Sequence, residues 1–139
     1  VRRNFKLSIP PYNKLIYNSK KITHFGKTFD SKKEGERYLE LRSMEKRGDI
    51  TKLETQPVYK LSCGDIPIKR LGGKGRQRQY TADFTYLDKT GKRRVEDVKP
   101  RKKAKKNTNQ RDKPLIDAAS SLRMATCEAC HGFLIDIIY

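Results

Sequence analysis

The stretch that decides the fold consists of Tyr80-Thr81-Ala82-Asp83-Phe84 and Val95-Glu96-Asp97-Val98-Lys99. Between the two segments lies Asp88-Lys89-Thr90-Gly91, which has the composition of a tight turn. The two segments are therefore predicted to be antiparallel strands of one hairpin, spanning roughly residues 77–99. The first strand alternates, and its apolar row is predicted to face the core: Tyr80, Ala82, Phe84 and Tyr86.

Charged side chains of this hairpin are predicted to converge. Successive strand residues point to opposite faces, so Asp97 and Lys99 share one face and Asp83 points away from the apolar row. Asp83 then lies across from Glu96 or Asp97, which leaves the register open by one residue, and side-chain parity favours Asp97. Two carboxylates and one amine are expected at the same place.

The composition indicates a polyanionic partner. The chain has 139 residues and a formal net charge of +17, from 33 Lys and Arg against 16 Asp and Glu. Such an excess favours nucleic acid as the partner. A membrane surface is not expected, because long apolar runs and a basic amphipathic helix with an aromatic face are missing from the sequence. An odd count of three cysteines argues against a disulfide framework.

The length and the order of elements predict one domain of the α/β (α+β) class. Residues 1–24 are basic and irregular and are interpreted as an N-terminal arm, with the domain spanning residues 25–139. A helix is predicted from Asp30 or Ser31 to Arg47, where Gly48 ends it. The remaining predicted elements are a strand at 52–62, a helix at 112–129 and a strand at 133–139 that fits the centre of a sheet.

The convergent carboxylates are suited to binding a metal. Magnesium prefers hard oxygen ligands and usually takes one or two carboxylates together with water and substrate phosphate. Asp83 and Asp97 fit as ligands, and the Val98 carbonyl can add a third oxygen. Lys99 can orient an attacking water or stabilise charge on a scissile phosphate.

A third carboxylate is sought on the first helix, which offers Glu34 and Glu36. Glu34 shares a face with Tyr38 and Leu41, at spacings of four and seven residues, so it is predicted to point inward. Glu36 lies on the face expected to meet water. An inward glutamate requires a partner or a cation, which makes Glu34 the better candidate.

Three segments together resemble the successive signatures of the PD-(D/E)XK nuclease superfamily: residues 29–34, residues 80–84 and residues 95–99. The similarity is greatest to small phage-encoded members, including those that resolve branched DNA junctions, and it extends from about Phe25 to Tyr139. It implies a restriction-endonuclease-like core, a mixed β-sheet flanked by helices. The signature proline is replaced by Ala82, and Pro100 stands where a glycine is common after the lysine.

The resemblance also implies a site and an activity. The implied metal ligands are Glu34, Asp83 and Asp97, the catalytic lysine is Lys99, and the cofactor is Mg²⁺, with Mn²⁺ as a substitute. We expect a metal-dependent DNA endonuclease that is selective for branched DNA such as a four-way (Holliday) junction, in phage DNA recombination or processing. A homodimer would suit a symmetric junction. An intracellular location is expected, which is the host cytoplasm if the chain is phage-encoded.

Two other functions stay open from the sequence. One is a sequence-specific endonuclease of the restriction or transposon-end type. The other is a noncatalytic protein whose basic surface binds nucleic acid and whose acidic residues are structural. Cleavage of DNA in the presence of magnesium distinguishes the noncatalytic protein from both the junction-selective and the sequence-specific endonuclease.

Basic segments are predicted to bind the DNA backbone. Six of the eight residues from Lys99 to Lys106 are basic, and the run begins at the catalytic lysine itself. Phosphate contacts of this kind position a substrate without reading its sequence. The predicted DNA-binding residues are Lys74, Arg76, Arg78, Arg101, Lys102, Lys103, Lys105 and Lys106, with Lys69 and Arg70 as further candidates.

A cysteine and histidine cluster follows the second predicted helix. The residues from Cys127 to His131 match the C-x-x-C-H pattern of haem attachment, but haem is not expected, because no export signal is present and the motif ends a helix. Zinc bound by Cys63, Cys127, Cys130 and His131 stays open, although Cys63 lies more than sixty residues away in the sequence.

Overall fold

The computed structural model describes residues 20–106 and 109–139. The proposed N-terminal arm therefore lies outside the described residues up to position 19. In the described part the helices are α1, Lys32–Lys46, and α2, Ala118–His131. The strands are β1 Ile22–His24, β2 Lys27–Phe29, β3 Thr51–Thr55, β4 Val58–Lys60, β5 Ser62–Cys63, β6 Ile66–Pro67, β7 Gln79–Thr81, β8 Phe84–Leu87, β9 Arg93–Val98, β10 Arg101–Lys102, β11 Lys113–Pro114 and β12 Ile135–Ile138.

The main sheet has four strands in the order β12-β9-β8-β3. The β12 strand runs parallel to β9, while β9, β8 and β3 are antiparallel neighbours. The sheet is therefore mixed and the class is α+β, as predicted. The prediction of a central C-terminal strand is wrong, because β12 pairs with β9 alone among the described strands and stands at the sheet edge.

The hairpin between β8 and β9 forms with the predicted turn. Phe84 pairs with Glu96 and Leu87 pairs with Arg93. The Asp88 carboxylate accepts hydrogen bonds from the amides of Thr90 (2.9 Å) and Lys92 (3.0 Å). Continuing the register by one residue beyond Phe84 places Asp83 across from Asp97, as side-chain parity predicts.

Two predicted strands are each broken, and the breaks lie side by side. The predicted strand at 52–62 is interrupted at Gln56 and Pro57, and the first hairpin strand is interrupted at Ala82 and Asp83. The Gln56 amide donates to the Asp83 carbonyl (2.8 Å), and the Ala82 amide donates to the Pro57 carbonyl (3.1 Å). Pro57 has no amide hydrogen to donate to a neighbouring strand, which favours a break there.

The break divides the predicted apolar row between two cores. Phe84 and Tyr86 pack with Tyr38 and Leu41 of α1. Tyr80 and Ala82 pack instead in a second cluster, which contains Val95, Ile135 and, from α2, Met124 and Cys127. The prediction of one common core face is therefore wrong, because the strand turns between Ala82 and Phe84.

The first helix begins and ends where the sequence predicts. The Ser31 side chain caps it by accepting a hydrogen bond from the Glu34 amide, and Gly48, with φ of +79°, follows its end. The β1–β2 hairpin packs on this helix at Gly35, where an added Cβ would lie 2.6 Å from Ile22 Cγ2. The folded region therefore extends upstream of Phe25.

The second helix begins six residues later than predicted. Residues 113–114 form β11, which pairs with β10, and the Asp117 side chain caps α2 by accepting from the Ser120 amide (2.7 Å). Pro114 disfavours helix in the preceding residue. The segment from Lys99 to Leu115, called the basic arm below, thus follows β9 and folds back to its own start, where the Leu115 amide donates to the Pro100 carbonyl (2.7 Å); residues 107–108 lie outside the described part.

Candidate active site

Asp97 and Lys99 form an ion pair at the end of β9. The Lys99 ammonium nitrogen lies 2.6 Å from Asp97 Oδ1. The Tyr80 hydroxyl donates a hydrogen bond to Asp97 Oδ2. Burial, followed by the Asp97 carboxylate, raises the pKa of Tyr80, so this hydroxyl stays a donor at neutral pH. Asp97, which is only 4% exposed, is therefore held by one cation and one neutral donor.

Asp97 Oδ1 has an incomplete set of partners. The atom is buried and receives no hydrogen bond of good geometry from the described residues, although the Lys99 ammonium is close by distance. Buried carboxylate oxygens are normally satisfied by hydrogen bonds or by a cation. In this structure the Lys99 ammonium is the cation that compensates this oxygen.

Asp83 lies at the strand break beside this pair. Its carboxylate accepts a hydrogen bond from the Val98 amide (2.6 Å). Burial, together with the carboxylates of Asp97 and Glu34, raises the pKa of Asp83 to about 7, while the Val98 amide and Lys99 oppose the shift. A carboxyl group with this pKa gives up its proton readily when a cation binds nearby.

Glu34 is held by its own helix end. Its Oε1 accepts from the Ser31 hydroxyl (3.1 Å), and its Oε2 accepts from the Asp30 amide (3.3 Å). Together with the Ser31 cap this is a variant of the capping box, in which Glu34 accepts from the amide of Asp30 and not from that of the cap residue, and it explains an inward glutamate without any metal. Burial raises the pKa of Glu34, and Asp97 adds to the shift through space. The metal role of Glu34 stays a prediction.

The residues present fit a magnesium ion held by two carboxylates. In the described residues, no three His, Cys, Asp or Glu side chains form a ready-made metal cluster. The register of the hairpin sets Asp83 across from Asp97, whose carboxylate raises the pKa of Asp83, and Mg²⁺ commonly binds through one or two carboxylates with water completing its shell. The Val98 carbonyl is directed to the Asp83 side of β9, because the N–H and C=O of a strand residue point the same way.

The Glu96 side chain lies on the other face of β9 and has its hydrogen-bond partners there. Arg37 binds it with two hydrogen bonds, at 2.9 Å and 2.7 Å, and the Tyr86 hydroxyl donates at 2.6 Å. Glu96, at 2% exposed, is buried against α1. Asp97, and not Glu96, therefore shares a face with Lys99.

Sequence reasoning missed Tyr80 and Lys33, which contact site residues, and Arg37, which binds Glu96 on the other face of β9. Tyr80 was assigned only to the core, and Arg37 was given no role. The Lys33 ammonium donates to the Lys99 carbonyl (3.4 Å), and burial, followed by Arg101, lowers the pKa of Lys33. The position of Lys33 next to Glu34 in the sequence could have indicated that Lys33 lies near the site. The Tyr80 contact could not be predicted in this way, because it depends on the strand break.

The predicted DNA-binding residues lie on two exposed surfaces. On the basic arm, Arg101 is partly engaged, since it donates to the Tyr139 carbonyl (3.0 Å) and lies 3.6 Å from Asp112. Lys102, Lys103, Lys105 and Lys106 are exposed, as are Lys69 and the other loop cations. A common recess is lined by Arg70, Lys74, Arg76 and Arg78.

The cysteine cluster has packing and hydrogen-bonding roles. Cys127 is fully buried in the α2 core, which raises the pKa of its thiol to about 11, and Cys63 is exposed. The Cys130 thiol donates to the Ser62 carbonyl (2.7 Å), and a ring nitrogen of His131 lies 2.8 Å from the Lys60 carbonyl. The four residues do not form a metal cluster in the described structure.

No helix in residues 20–106 or 109–139 is long and apolar enough to cross a membrane.

Comparison with known proteins places the chain in a family. Searches of curated proteins and of solved structures gave no match. A family model described as "Protein of unknown function (DUF1064)" matches residues 14–127, which is more than half of the chain. The chain belongs to this family, DUF1064.

Proposed function

We propose that the protein is a metal-dependent DNA endonuclease that hydrolyses phosphodiester bonds at Asp83, Asp97 and Lys99. The observation that carries the proposal is the 2.6 Å pair of Lys99 and Asp97 beside the half-buried Asp83 carboxyl group. Placing a buried and a half-buried carboxylate together is unfavourable unless a cation compensates them. If these side chains had only a structural role, apolar side chains in their place would stabilise the fold more.

Asp83 and Asp97 would hold Mg²⁺, with Mn²⁺ as a substitute and the Val98 carbonyl as a further oxygen ligand. When bound, the ion supplies charge neutralisation at the phosphate, a lowered pKa for an attacking water and stabilisation of the leaving oxygen. The Val98 amide and the Tyr80 hydroxyl keep the two carboxylates in place, because each occupies one carboxylate oxygen.

Lys99 would act on the substrate. Its side chain is 20% exposed, so the ammonium group is reachable from the surface while it stays largely shielded from water. From this position Lys99 can stabilise negative charge on the scissile phosphate or orient the attacking water. Its neighbours Lys33 and Arg101 add positive charge at the same place.

DNA is the proposed substrate because the basic arm begins at Lys99. Phosphates bound along exposed Lys102 and Lys103 would lie on a chain segment continuous with the site. The preference for branched DNA rests on the family resemblance of the sequence motifs. Such enzymes recognise shape and deformability more than base edges, which suits a surface rich in phosphate-binding cations.

The proposal is tested by incubating the purified protein with linear duplex, single-stranded and four-way-junction DNA, with and without Mg²⁺ or Mn²⁺. Asp83→Ala and Lys99→Ala are compared with Asp136→Ala, which alters a half-exposed carboxylate paired with Arg94. We expect cleavage by the wild type and by Asp136→Ala only. Wild-type protein that binds the DNAs and cuts none would show a noncatalytic binding protein, and equal cutting of duplex and junction would remove the structure selectivity alone.

A further inference from the structure

The two oxygens of Asp97 have partners of different kinds. Oδ2 accepts from Tyr80, a rigid and neutral donor that is 7% exposed. Oδ1 faces the Lys99 ammonium at 2.6 Å without hydrogen-bond geometry. Lysine carries its charge on a flexible four-carbon stem. One oxygen is thus fixed, and the other is held by a group that can leave.

The main chain of Lys99 is anchored on both sides. Its amide donates to the Ile138 carbonyl (2.8 Å), and its carbonyl accepts from Lys33 (3.4 Å). A movement of Lys99 would therefore be confined to its side chain. That side chain is 20% exposed, so the fold does not enclose it completely.

Building on the proposed function, we propose that Lys99 occupies the place of the divalent cation on Asp97 Oδ1 in the metal-free protein. Lys99 leaves this oxygen when the cation binds and turns toward the substrate phosphate, while Tyr80 keeps Asp97 fixed through Oδ2. A buried carboxylate requires one compensating cation, and two cations on one oxygen repel each other. The exchange keeps Asp97 compensated in both states and releases Lys99 only when the site is loaded.

The proposal predicts opposite effects of two nearly isosteric changes. Without competition from the ammonium group, Lys99→Met should bind Mg²⁺ about tenfold more tightly, as expected for removal of a close competing charge. Tyr80→Phe should bind it about tenfold more weakly, as expected for removal of a group that orients a ligand. Affinity is measured calorimetrically without DNA, at constant ionic strength, with Mg²⁺ and with Ca²⁺.

Two control variants separate the effect of direct contact with Asp97 from the effect of nearby charge on metal affinity. Lys33→Met removes a neighbouring ammonium group that touches the Lys99 carbonyl and not Asp97, and Tyr86→Phe removes a hydroxyl bound to Glu96 on the other face of β9. Both should change the Mg²⁺ dissociation constant less than about threefold. Circular dichroism checks the fold of each variant, and Lys99→Gln replaces Lys99→Met if the latter does not fold.

The outcomes distinguish this proposal from the nuclease itself. Equal tightening in Lys99→Met and Lys33→Met would show a general charge effect and overturn the exchange. Weaker binding by Lys99→Met, or unchanged binding by Tyr80→Phe, would also overturn it. In each case a wild type that cleaves DNA with Mg²⁺ would leave the proposed function standing. A wild type that neither binds metal nor cleaves would overturn both.

Discussion

The amide of Gln56 donates a 2.8 Å hydrogen bond to the carbonyl of Asp83, and each residue stands at the break of a strand. Because the two breaks coincide, both paired strands bend at the same point. The pair thereby passes from the core beside α1 to the core beside α2. The turn places the Asp83 carboxylate against the Val98 amide and Tyr80 against Asp97. The site therefore depends on the geometry of Gln56, which is remote from it in sequence.

Replacing Gln56 tests this bend. Gln56 has φ of +54°, a conformation that glycine adopts easily and β-branched residues avoid. We expect Gln56→Gly to leave the free energy of unfolding within about 0.5 kcal/mol of the wild type or to raise it, and Gln56→Val to lower it by about 1–3 kcal/mol. Urea denaturation measures both. Equal stability of the two variants would show that the bend does not depend on this backbone conformation.

The stability of the metal-free protein should fall with rising pH because of Asp83. Burial and the nearby carboxylates raise the pKa of Asp83 to about 7 in the folded state, against about 4 in the unfolded chain. The folded state binds this proton more tightly, so the stabilisation is complete below about pH 4 and is lost as the pH rises to about 7. On the order of 4 kcal/mol is expected to depend on this one group.

Asp83→Asn removes the ionisation and should remove that part of the pH dependence. In the presence of a chelator the variant should be more stable than the wild type near pH 8, and the two should converge near pH 4. Added Mg²⁺ should stabilise the wild type and not the variant. Urea denaturation at pH 4 and pH 8 measures the free energy of unfolding, with Asp136→Asn as control. A wild type that becomes more stable from pH 4 to pH 8 because of Asp83 would contradict the raised pKa of this group.

The pair of Arg37 and Glu96 should be strongly coupled. Arg37→Met leaves Glu96 buried at 2% exposure with Tyr86 as its remaining partner among the described residues, which should cost about 3–5 kcal/mol. Arg37→Met combined with Glu96→Gln removes the buried charge and should regain most of that stability. A double-mutant cycle in urea measures the coupling. Additive effects of the two changes would show that the pair does not stabilise β9.

The basic arm should account for part of the salt dependence of DNA binding. Lys102→Gln with Lys103→Gln should weaken binding and lower the slope of log affinity against log salt by about 0.9 for each DNA phosphate that these lysines neutralise in the wild type. Lys92→Gln with Arg93→Gln removes the same charge at the opposite end of β9 and is the control. Fluorescence anisotropy with a chelator present avoids cleavage. Identical slopes for both double variants would place the DNA elsewhere.

Local chemistry made the hairpin and the first helix predictable. Asp88 and Gly91 specify the turn, and parity along β9 separates Asp97 from Glu96. Ser31 and Gly48 mark the ends of α1. The sequence from Ser31 to Glu34 also carries the capping-box signature, so an internal partner for Glu34 was readable from the sequence.

Nonlocal pairing explains what the sequence did not predict. The hydrogen bond from the Gln56 amide to the Asp83 carbonyl joins two separate segments at the break, and Tyr80 and Phe84, on either side of it, lie in different cores. The start of α2 depends on pairing between β10 and β11. Such contacts leave no periodic pattern in either segment alone. The contact between Tyr80 and Asp97, on which the site depends, follows from the same bend.

Nicking of a covalently closed supercoiled plasmid with an inverted repeat, which extrudes a four-way junction, tests the central claim most directly, since a closed circle has no ends and the first cut changes its mobility. With Mg²⁺ or Mn²⁺, the wild type and Asp136→Asn should convert it to nicked or linear DNA, and a chelator should stop the reaction. Asp97→Asn should be slower by at least about a hundredfold. An intact plasmid with folded, DNA-binding wild type and either metal, or equal rates for wild type and Asp97→Asn, would contradict the assignment of Asp83, Asp97 and Lys99 as a cleavage site.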